Sequence, residues 1–196
     1  GVLTALHCAA GSRLGAKQPS TAAGLLETAE LLLAAGADAR ATARSWAHDV
    51  GALYFVIGSG QVAMLELLLD HGLDPTEGVS TAVWNDREDI LDLLLARGAR
   101  LDDAHDETKP VLNNQVRWGR FTQARLLLRK GASPNLPDEQ GWTAVHQAVS
   151  RGNVKILGDL LAAGGDVARR DKDGLTPRDL ARAWEREDLL RVLGRG

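Results

Sequence analysis

The segment LDDAHDETK, residues 101–109, brings three aspartates, a glutamate and His105 close together in the chain. Carboxylates and an imidazole at such short spacing can bind a metal ion or transfer protons. The same composition is typical of a solvated turn that attracts or repels a charged partner. We prefer the turn. A basic stretch, residues 117–130, follows after residues 110–116. An acidic tip beside basic helices suits the orientation of a protein partner.

The sequence contains none of the motifs that mark common catalytic sites. It has no HExxH motif, no GxSxG turn, no phosphate-binding glycine–lysine loop and no dinucleotide fingerprint. The glycines of GSGQVAM, residues 58–64, lack the flanking pattern of a phosphate loop. Cys8 is the single cysteine, which excludes an intrachain disulfide and a cysteine-based zinc site. We therefore predict a protein that is not an enzyme and that needs no cofactor and no metal.

Tryptophan is the other residue type that calls for an explanation, since five tryptophans stand against two phenylalanines and one tyrosine. In QVRWGRF, residues 115–121, a tryptophan lies between two arginines. Tryptophan and arginine are enriched in interface hot spots, because they bury a large area and still offer a polar or cationic contact. Whether these side chains face the core or a partner depends on where they fall in a repeat.

The repeat that positions these residues ends each unit with a run of leucines, two further residues and a glycine. These glycines are Gly36, Gly72, Gly98, Gly131 and Gly164, at spacings of 36, 26, 33 and 33 residues. In residues 152–166, apolar residues recur at helical spacing before a glycine suited to a helix C-terminus. Residues 143–152 form a second short helix with a threonine N-cap, after a turn rich in Pro, Asp and Gly. One such unit cannot bury both faces, so it must stack on its neighbours.

The segment DEQGWTAVHQAVSRGNVKILGDLLAAGGDV, residues 138–167, resembles an ankyrin repeat, whose helix start reads T-P-L-H-x-A-A. TALHCAAG (4–11) and DGLTPRDLA (173–181) match the starts of a first and a last repeat. The resemblance implies an all-α fold, an ankyrin-repeat solenoid of stacked helix–turn–helix units with short connecting hairpins. It also implies that His7 and His146, at the histidine of the signature, bond to backbone and fix the turn.

We predict that the array is a single domain over residues 1–196. Its repeats are 1–38, 39–74, 75–100, 101–133, 134–166 and 167–196, the first lacking its N-terminal part and the middle ones diverged. Residues 12–24 are polar and rich in turn formers, so we expect a surface loop inserted in repeat one. The spacing of 26 before Gly98 predicts that the hairpin leading into repeat three is absent or clipped.

Composition limits the classes of partner. A net charge of −3 argues against a sequence-independent nucleic-acid binder. No apolar run is long enough to span a membrane. We therefore expect a protein partner, no nucleic acid, no membrane, and a chain that is monomeric on its own. We expect a cytoplasmic location, or a periplasmic or secreted one if a missing N-terminus carried a signal. The abundance of Ala, Arg and Trp suggests a bacterial source, where one role would be an inhibitor or immunity protein.

The resemblance implies that the partner lies against the concave side, which is made of hairpin tips and the first helix of each repeat. The residue inside each turn, those just before it, and the two after the A-A pair face outward there. Counting back from the glycines, we assign these positions to Trp84, Asn85, Arg117, Trp118, Gln140, Trp142, Arg151 and Trp184. We add Trp46 and His48 from the connection into repeat two.

Other interpretations stay open. The tryptophans could cover apolar surface, with Trp184 capping the last repeat. Alternatively, Trp84, Trp118 and Trp142 could form a pocket that binds a small molecule or is an unusual catalytic site, beside polar groups such as Asp86 and His48. The amides Asn113, Asn114 and Gln115 would then form the pocket floor, or else bond to the backbone of the adjacent hairpin. A domain that only spaces other modules of a longer protein is the third alternative.

Overall fold

The computed structural model describes residues 4–12, 19–45, 48–106 and 109–194. Over these residues the chain forms twelve α-helices that follow one another in pairs, joined by turns and short hairpins. They divide into two compact units, residues 1–99 and residues 100–196. No helix in this part of the chain is long and apolar enough to cross a membrane. The predicted all-α fold is confirmed.

The first unit contains six of these helices. They are α1 (Ala5–Ala10), α2 (Pro19–Ala34), α3 (Ala52–Ser59), α4 (Val62–Asp70), α5 (Val79–Trp84) and α6 (Glu88–Ala96). A hairpin of β1 (Ala43–Ser45) and β2 (His48–Val50) precedes α3, with Ala43 opposite Val50. The core of the unit is a set of buried aliphatic side chains from α3, α4 and α6, including Ile57, Leu65, Leu68, Ile90, Leu91 and Leu94.

The second unit contains the other six. They are α7 (Val111–Arg117), α8 (Phe121–Arg129), α9 (Ala144–Arg151), α10 (Val154–Ala162), α11 (Pro177–Ala183) and α12 (Glu187–Leu193). A 3-10 turn (Leu101–Asp103) and a hairpin of β3 (His105–Asp106) and β4 (Lys109–Pro110) precede α7. The core is again aliphatic, with Leu112, Leu127, Ile156 and Leu157 fully buried.

A threonine caps the first helix of three repeats, at α1, α9 and α11. At α9, the backbone N–H of Thr143 donates to Nδ1 of His146 (3.2 Å), and the threonine hydroxyl lies 3.0 Å from the same nitrogen. Because Nδ1 accepts, the imidazole proton is on Nε2, which donates to the carbonyl of Leu175 in the next turn (3.4 Å). His7 makes the same bonds in α1, where Nε2 donates to the carbonyl of Ala41 (3.0 Å). The predicted role of both histidines is confirmed.

Glycine ends the second helix of a repeat, as predicted. Gly131 and Gly164 have φ of +93° and +87°, in the left-handed region that a side chain disfavours. The predicted loss of the hairpin before repeat three is also confirmed. Between residues 71 and 78, all of them described, the connection is a 3-10 turn (Pro75–Gly78) capped by Asp74, whose carboxylate accepts the Thr76 N–H at 2.8 Å.

One expectation needs correction. We predicted a surface loop over residues 12–24, but residues 19–24 lie in the first turns of α2. Proline fits the first helical turn, where its missing N–H is not needed, and the alanines that follow favour helix. Residues 13–18 lie outside the described part of the chain. That residues 1–196 form a single array stays a prediction.

Candidate functional site

An open cavity of about 630 Å³ lies in the second unit. Hairpin turns and first helices surround it. The described residues that line it are Lys109, Arg117, Trp118, Asp138, Gln140, Trp142, Gln147, Ser150, Arg151, Lys172 and Asp173. We call this cavity the groove.

The repeat brings these side chains together because equivalent positions lie side by side in successive repeats. Lys109 and Trp142 occupy the same place in two successive turns. Trp118 and Arg151 occupy the same place at the ends of α7 and α9. The groove is therefore built from two turn positions and two helix ends that the repeat period aligns.

Trp118 is the most exposed aromatic side chain of the groove, with 58% of its surface accessible. It follows α7, and its backbone N–H donates to the carbonyl of Asn114 at 2.9 Å. The guanidinium carbon of Arg117 lies 5.2 Å from the centre of its ring, at cation–π distance. A large aromatic ring left in water beside a cation is a typical anchor for a partner.

Trp142 also lines the groove, but the chain already uses its polar edge. Its indole Nε1–H donates to Oδ2 of Asp171 at 3.0 Å. Its ring stacks on His146, with centroids 6.2 Å apart and planes 23° from parallel. Burial lowers the pKa of His146, which keeps the imidazole neutral at physiological pH. Trp142 is thus a wall of the groove that is fixed in place.

A buried carboxylate holds the turn that carries Gln140 and Trp142. The side chain of Asp138 is only 3% exposed. Its Oδ1 accepts the backbone N–H groups of Gln140 (2.9 Å) and Trp142 (3.0 Å). Its Oδ2 accepts from Nε2 of Gln147 (3.3 Å) and lies 4.0 Å from Nζ of Lys109. Asp138 therefore positions the groove, and its charge is compensated within the chain.

The three consecutive amides of α7 are buried, and none of them lines the groove. Asn113 stands where α9 has His146, and its Nδ2 donates to the carbonyls of Leu136 (3.0 Å) and Trp142 (2.8 Å). These bonds match the interpretation of an amide that ties the helix to the adjacent hairpin. The pocket-floor interpretation needs correction, because Asn113, Asn114 and Gln115 take up core positions of the helix instead.

Gln115 differs from Asn113 because its side chain makes no hydrogen bond to the described residues. It is fully buried, and neither its Oε1 nor its Nε2 has a hydrogen-bond partner in the described part of the chain. An unpaired buried amide costs stability, because it loses its hydrogen bonds to water. We have no structural account of why a glutamine occupies this position.

The structure brings together five of the residues predicted to bind a partner. They are Arg117, Trp118, Gln140, Trp142 and Arg151. Trp184 is 45% exposed but follows α11 and does not line the groove. Trp84 (38% exposed) and Asn85 belong to the first unit, where Asn85 lines a cavity of about 210 Å³ and its Nδ2 donates to the carbonyl of Thr81 at 2.8 Å. Trp46 and the side chain of His48 lie outside the described residues.

Six groove residues were missed from the sequence: Lys109, Asp138, Gln147, Ser150, Lys172 and Asp173. Lys109 and Ser150 carried a signal, since they stand one repeat from Trp142 and Arg117. Applying the turn and helix-end rule to every repeat would have found both. No sequence signal marked Gln147 or Lys172 as groove residues.

The two described aspartate side chains of the acidic segment 101–109 bond within the chain. Oδ1 of Asp102 accepts the backbone N–H of Ser133 at 2.8 Å, and Asp103 pairs with Arg100 at 2.6 Å. Among the described residues, no group of three or more His, Cys, Asp or Glu side chains is placed to hold a metal ion.

Comparisons with known proteins agree with this geometry. A family model described as ankyrin repeats (many copies) matches residues 112–161. An ankyrin repeat-containing protein of Treponema pallidum is 30% identical over 143 residues, which are 69% of this chain and 48% of that protein. Protein phosphatase 1 regulatory subunit 27 of Mus musculus is 34% identical over 95 residues, 48% of this chain and 62% of that protein.

The fold has a close match among solved structures. The crystal structure of the ankyrin repeat domain of Bcl-3 superposes with a TM-score of 0.71 at 27% identity, covering 88% of this chain and 78% of that one. This chain spans about half the length of the treponemal protein and less than two thirds of the phosphatase subunit. The chain, with its paired helices and its glycine stops, belongs to the ankyrin-repeat proteins.

Proposed function

We propose that this chain binds one protein partner through the groove of its second unit. The observation that carries the proposal is Trp118, a tryptophan that is 58% exposed beside the cation of Arg117 and lines a cavity of about 630 Å³. Covering such a ring with a partner removes apolar surface from water, which favours binding. The fixed wall of Trp142 opposes reorganisation of the groove when a partner binds.

The class of the protein supports this function. Ankyrin repeats generally mediate protein–protein interaction. One relative is named as a regulatory subunit of a phosphatase, and thus works together with another protein. We propose that this chain likewise acts by occupying the surface of its partner, as an adaptor or as an inhibitor. The groove offers shape and charge for that task.

The proposal is tested by affinity capture from a lysate of the source organism, read by mass spectrometry. Baits of the wild type and of Trp118→Ala are compared with Trp184→Ala, which removes a tryptophan of similar exposure outside the groove. We expect one protein that is enriched on the wild type and on Trp184→Ala and lost on Trp118→Ala. Equal recovery on all three folded baits contradicts the proposal.

A small-molecule ligand is the second candidate. A volume of about 630 Å³ is typical of ligand pockets. However, the amides expected to form the floor do not line the groove, and two of the residues around it, Arg151 and Lys172, are exposed charges. Native mass spectrometry of freshly purified protein separates the two ideas, since a bound small molecule adds its mass to the chain.

A further inference from the structure

We infer that the groove recognises an acidic segment of the partner protein, pairing its carboxylates with Arg117, Arg151 and Lys172 and packing an apolar side chain on Trp118. The inference rests on the proposed function and specifies the chemistry of the segment that the groove holds. It follows from the charges around the groove, from their lack of partners and from the shape of the apolar surface between them.

The groove has the opposite sign of charge to the chain that contains it. The whole sequence carries a net charge of −3. Of the described side chains that line the groove, four are basic and two are acidic. The basic ones are Lys109, Arg117, Arg151 and Lys172, and the acidic ones are Asp138 and Asp173. A local basic excess on an acidic protein attracts and orients an anionic partner.

Charge pairing within the chain does not remove the basic excess of the groove. Asp138 is buried, accepts from two backbone N–H groups and from Gln147, and has Lys109 at 4.0 Å. This carboxylate and Lys109 therefore largely neutralise each other. Asp173 then remains as the single exposed acidic side chain in the described lining, against three exposed cations.

The three groove cations differ from two arginines of the same unit that pair with carboxylates of the chain. Arg125 pairs with Asp159 at 2.6 Å, and Arg186 pairs with Asp188 at 2.9 Å. By contrast, the described residues provide no ion-pair partner for the three groove cations. They are Arg117, Arg151 and Lys172. The positive charges of these three side chains are therefore available to an anionic partner.

The uncharged surface of the groove favours a peptide. Trp118 exposes an apolar face on which one side chain can pack. Gln140 and Ser150 line the groove with polar side chains that have no hydrogen-bond partner among the described residues, so both can bond to a peptide backbone. Single-stranded nucleic acid instead needs successive aromatic platforms, and the ring of Trp142 is already stacked on His146.

Two fluorescein-labelled pools of short random peptides test the inference by fluorescence polarisation. One pool is built from Asp, Glu, Leu, Phe and Gly, and in the other Lys and Arg replace the acidic residues. The variant Arg151→Glu/Lys172→Glu reverses two groove charges. The control Lys155→Glu/Arg169→Glu changes the net charge equally, at exposed positions that do not line the groove. Thermal unfolding confirms that both variants are folded.

We expect the wild type and the control to bind the acidic pool in preference to the basic pool. The groove variant should bind the acidic pool about tenfold more weakly or worse, because two exposed ion pairs become two repulsions. Binding to the acidic pool should weaken as salt is added. Equal binding of the two pools overturns the inference, as does an equal loss in both variants. Tighter binding of labelled oligodeoxythymidylate than of the acidic pool also overturns it.

The outcomes separate this inference from the proposed function. A partner that is lost on Trp118→Ala but retained by the folded Arg151→Glu/Lys172→Glu bait refutes acidic recognition and leaves the protein-binding groove intact. A partner that is retained on Trp118→Ala refutes both.

Discussion

Helices α7 and α9 occupy the same place in two successive repeats, yet they are built differently. Helix α9 begins with the Thr143–His146 pair, which ties the helix start to the next turn. Helix α7 follows Pro110 with no side-chain cap in the described residues, and Asn113 takes the place of the histidine. Helix α9 ends in Arg151, whereas α7 is followed by the exposed ring of Trp118.

The difference shows that neighbouring repeats can have separate roles, one in stability and one in binding. The turn and helix of repeat five hold the geometry, through Asp138, Thr143 and His146. Repeat four departs from the favoured helix start and places a large exposed aromatic beside the groove. Departures from local rules are expected at functional sites. The stability of the groove should therefore depend mainly on repeat five, and its aromatic contact with a partner on repeat four.

Asp138→Ala should cause the largest change. The substitution leaves two backbone N–H groups of a partly buried turn without their acceptor, and it leaves Lys109 facing no charge. We expect the free energy of unfolding of the second unit to fall by about 3 kcal/mol. Urea denaturation measures it. Asp173→Ala, at an exposed position of the same groove, is the control and should change the free energy by less than about 0.5 kcal/mol.

Substitutions at Asn113 and Gln115 should have opposite signs, although both are buried amides of α7. Asn113→Leu removes the donor for the carbonyls of Leu136 and Trp142 and should destabilise by about 2 kcal/mol. Gln115→Leu removes an amide without a described partner and should stabilise by about 1 kcal/mol. Denaturation midpoints at equal slope measure both. Destabilisation by Gln115→Leu would show that this amide has a partner.

The histidine of α9 should make the second unit sensitive to pH. Burial lowers the pKa of His146 below its ordinary value, so near pH 6 the folded chain binds fewer protons than the unfolded chain. Stability should therefore fall as pH drops from about 7 to about 5, through the ordinary imidazole pKa near 6.5. His146→Asn places at this position the residue type that α7 has there, Asn113. It should reduce the dependence of stability on pH. An unchanged slope would assign the pH dependence to other groups.

The smallest expected change in stability concerns the residue with positive φ that follows the first helix of a repeat. Gly119 and Gly152 have positive φ after α7 and α9, but Glu185 adopts φ of +54° at the matching place after α11. A side chain in this region is strained, so Glu185→Gly should stabilise by about 0.5 kcal/mol after the entropic cost of glycine. Thermal unfolding measures the change. Glu187→Gly, within the exposed first turn of α12, is the control and should destabilise.

Much of the fold could be predicted because each unit is determined by local chemistry. Threonine caps, glycine stops and helical spacing of leucines act within a few residues, and the structure has them where they were expected. The start of α2 was missed because the polar residues around Pro19 also favour a turn. Local composition does not distinguish the two outcomes there.

The groove was harder to predict because it depends on bonds between repeats. That Trp142 lines it followed from the turn position, but its bond to Asp171 joins two turns that are far apart in sequence. The use of Asn113 in place of a histidine was one of two interpretations, since only the neighbouring carbonyls decide between them. Trp184 satisfied the same positional rule as Trp118, yet it does not line the groove.

The affinity of the captured partner for the wild type, Trp118→Ala and Trp184→Ala tests the central claim most directly. Isothermal titration calorimetry gives the three dissociation constants, and thermal unfolding checks that all three chains are equally stable. We predict that Trp118→Ala weakens binding by at least about 2 kcal/mol, the range of an interface hot spot, while Trp184→Ala leaves it unchanged. Equal affinity of the wild type and Trp118→Ala would contradict the assignment of the groove as the binding surface.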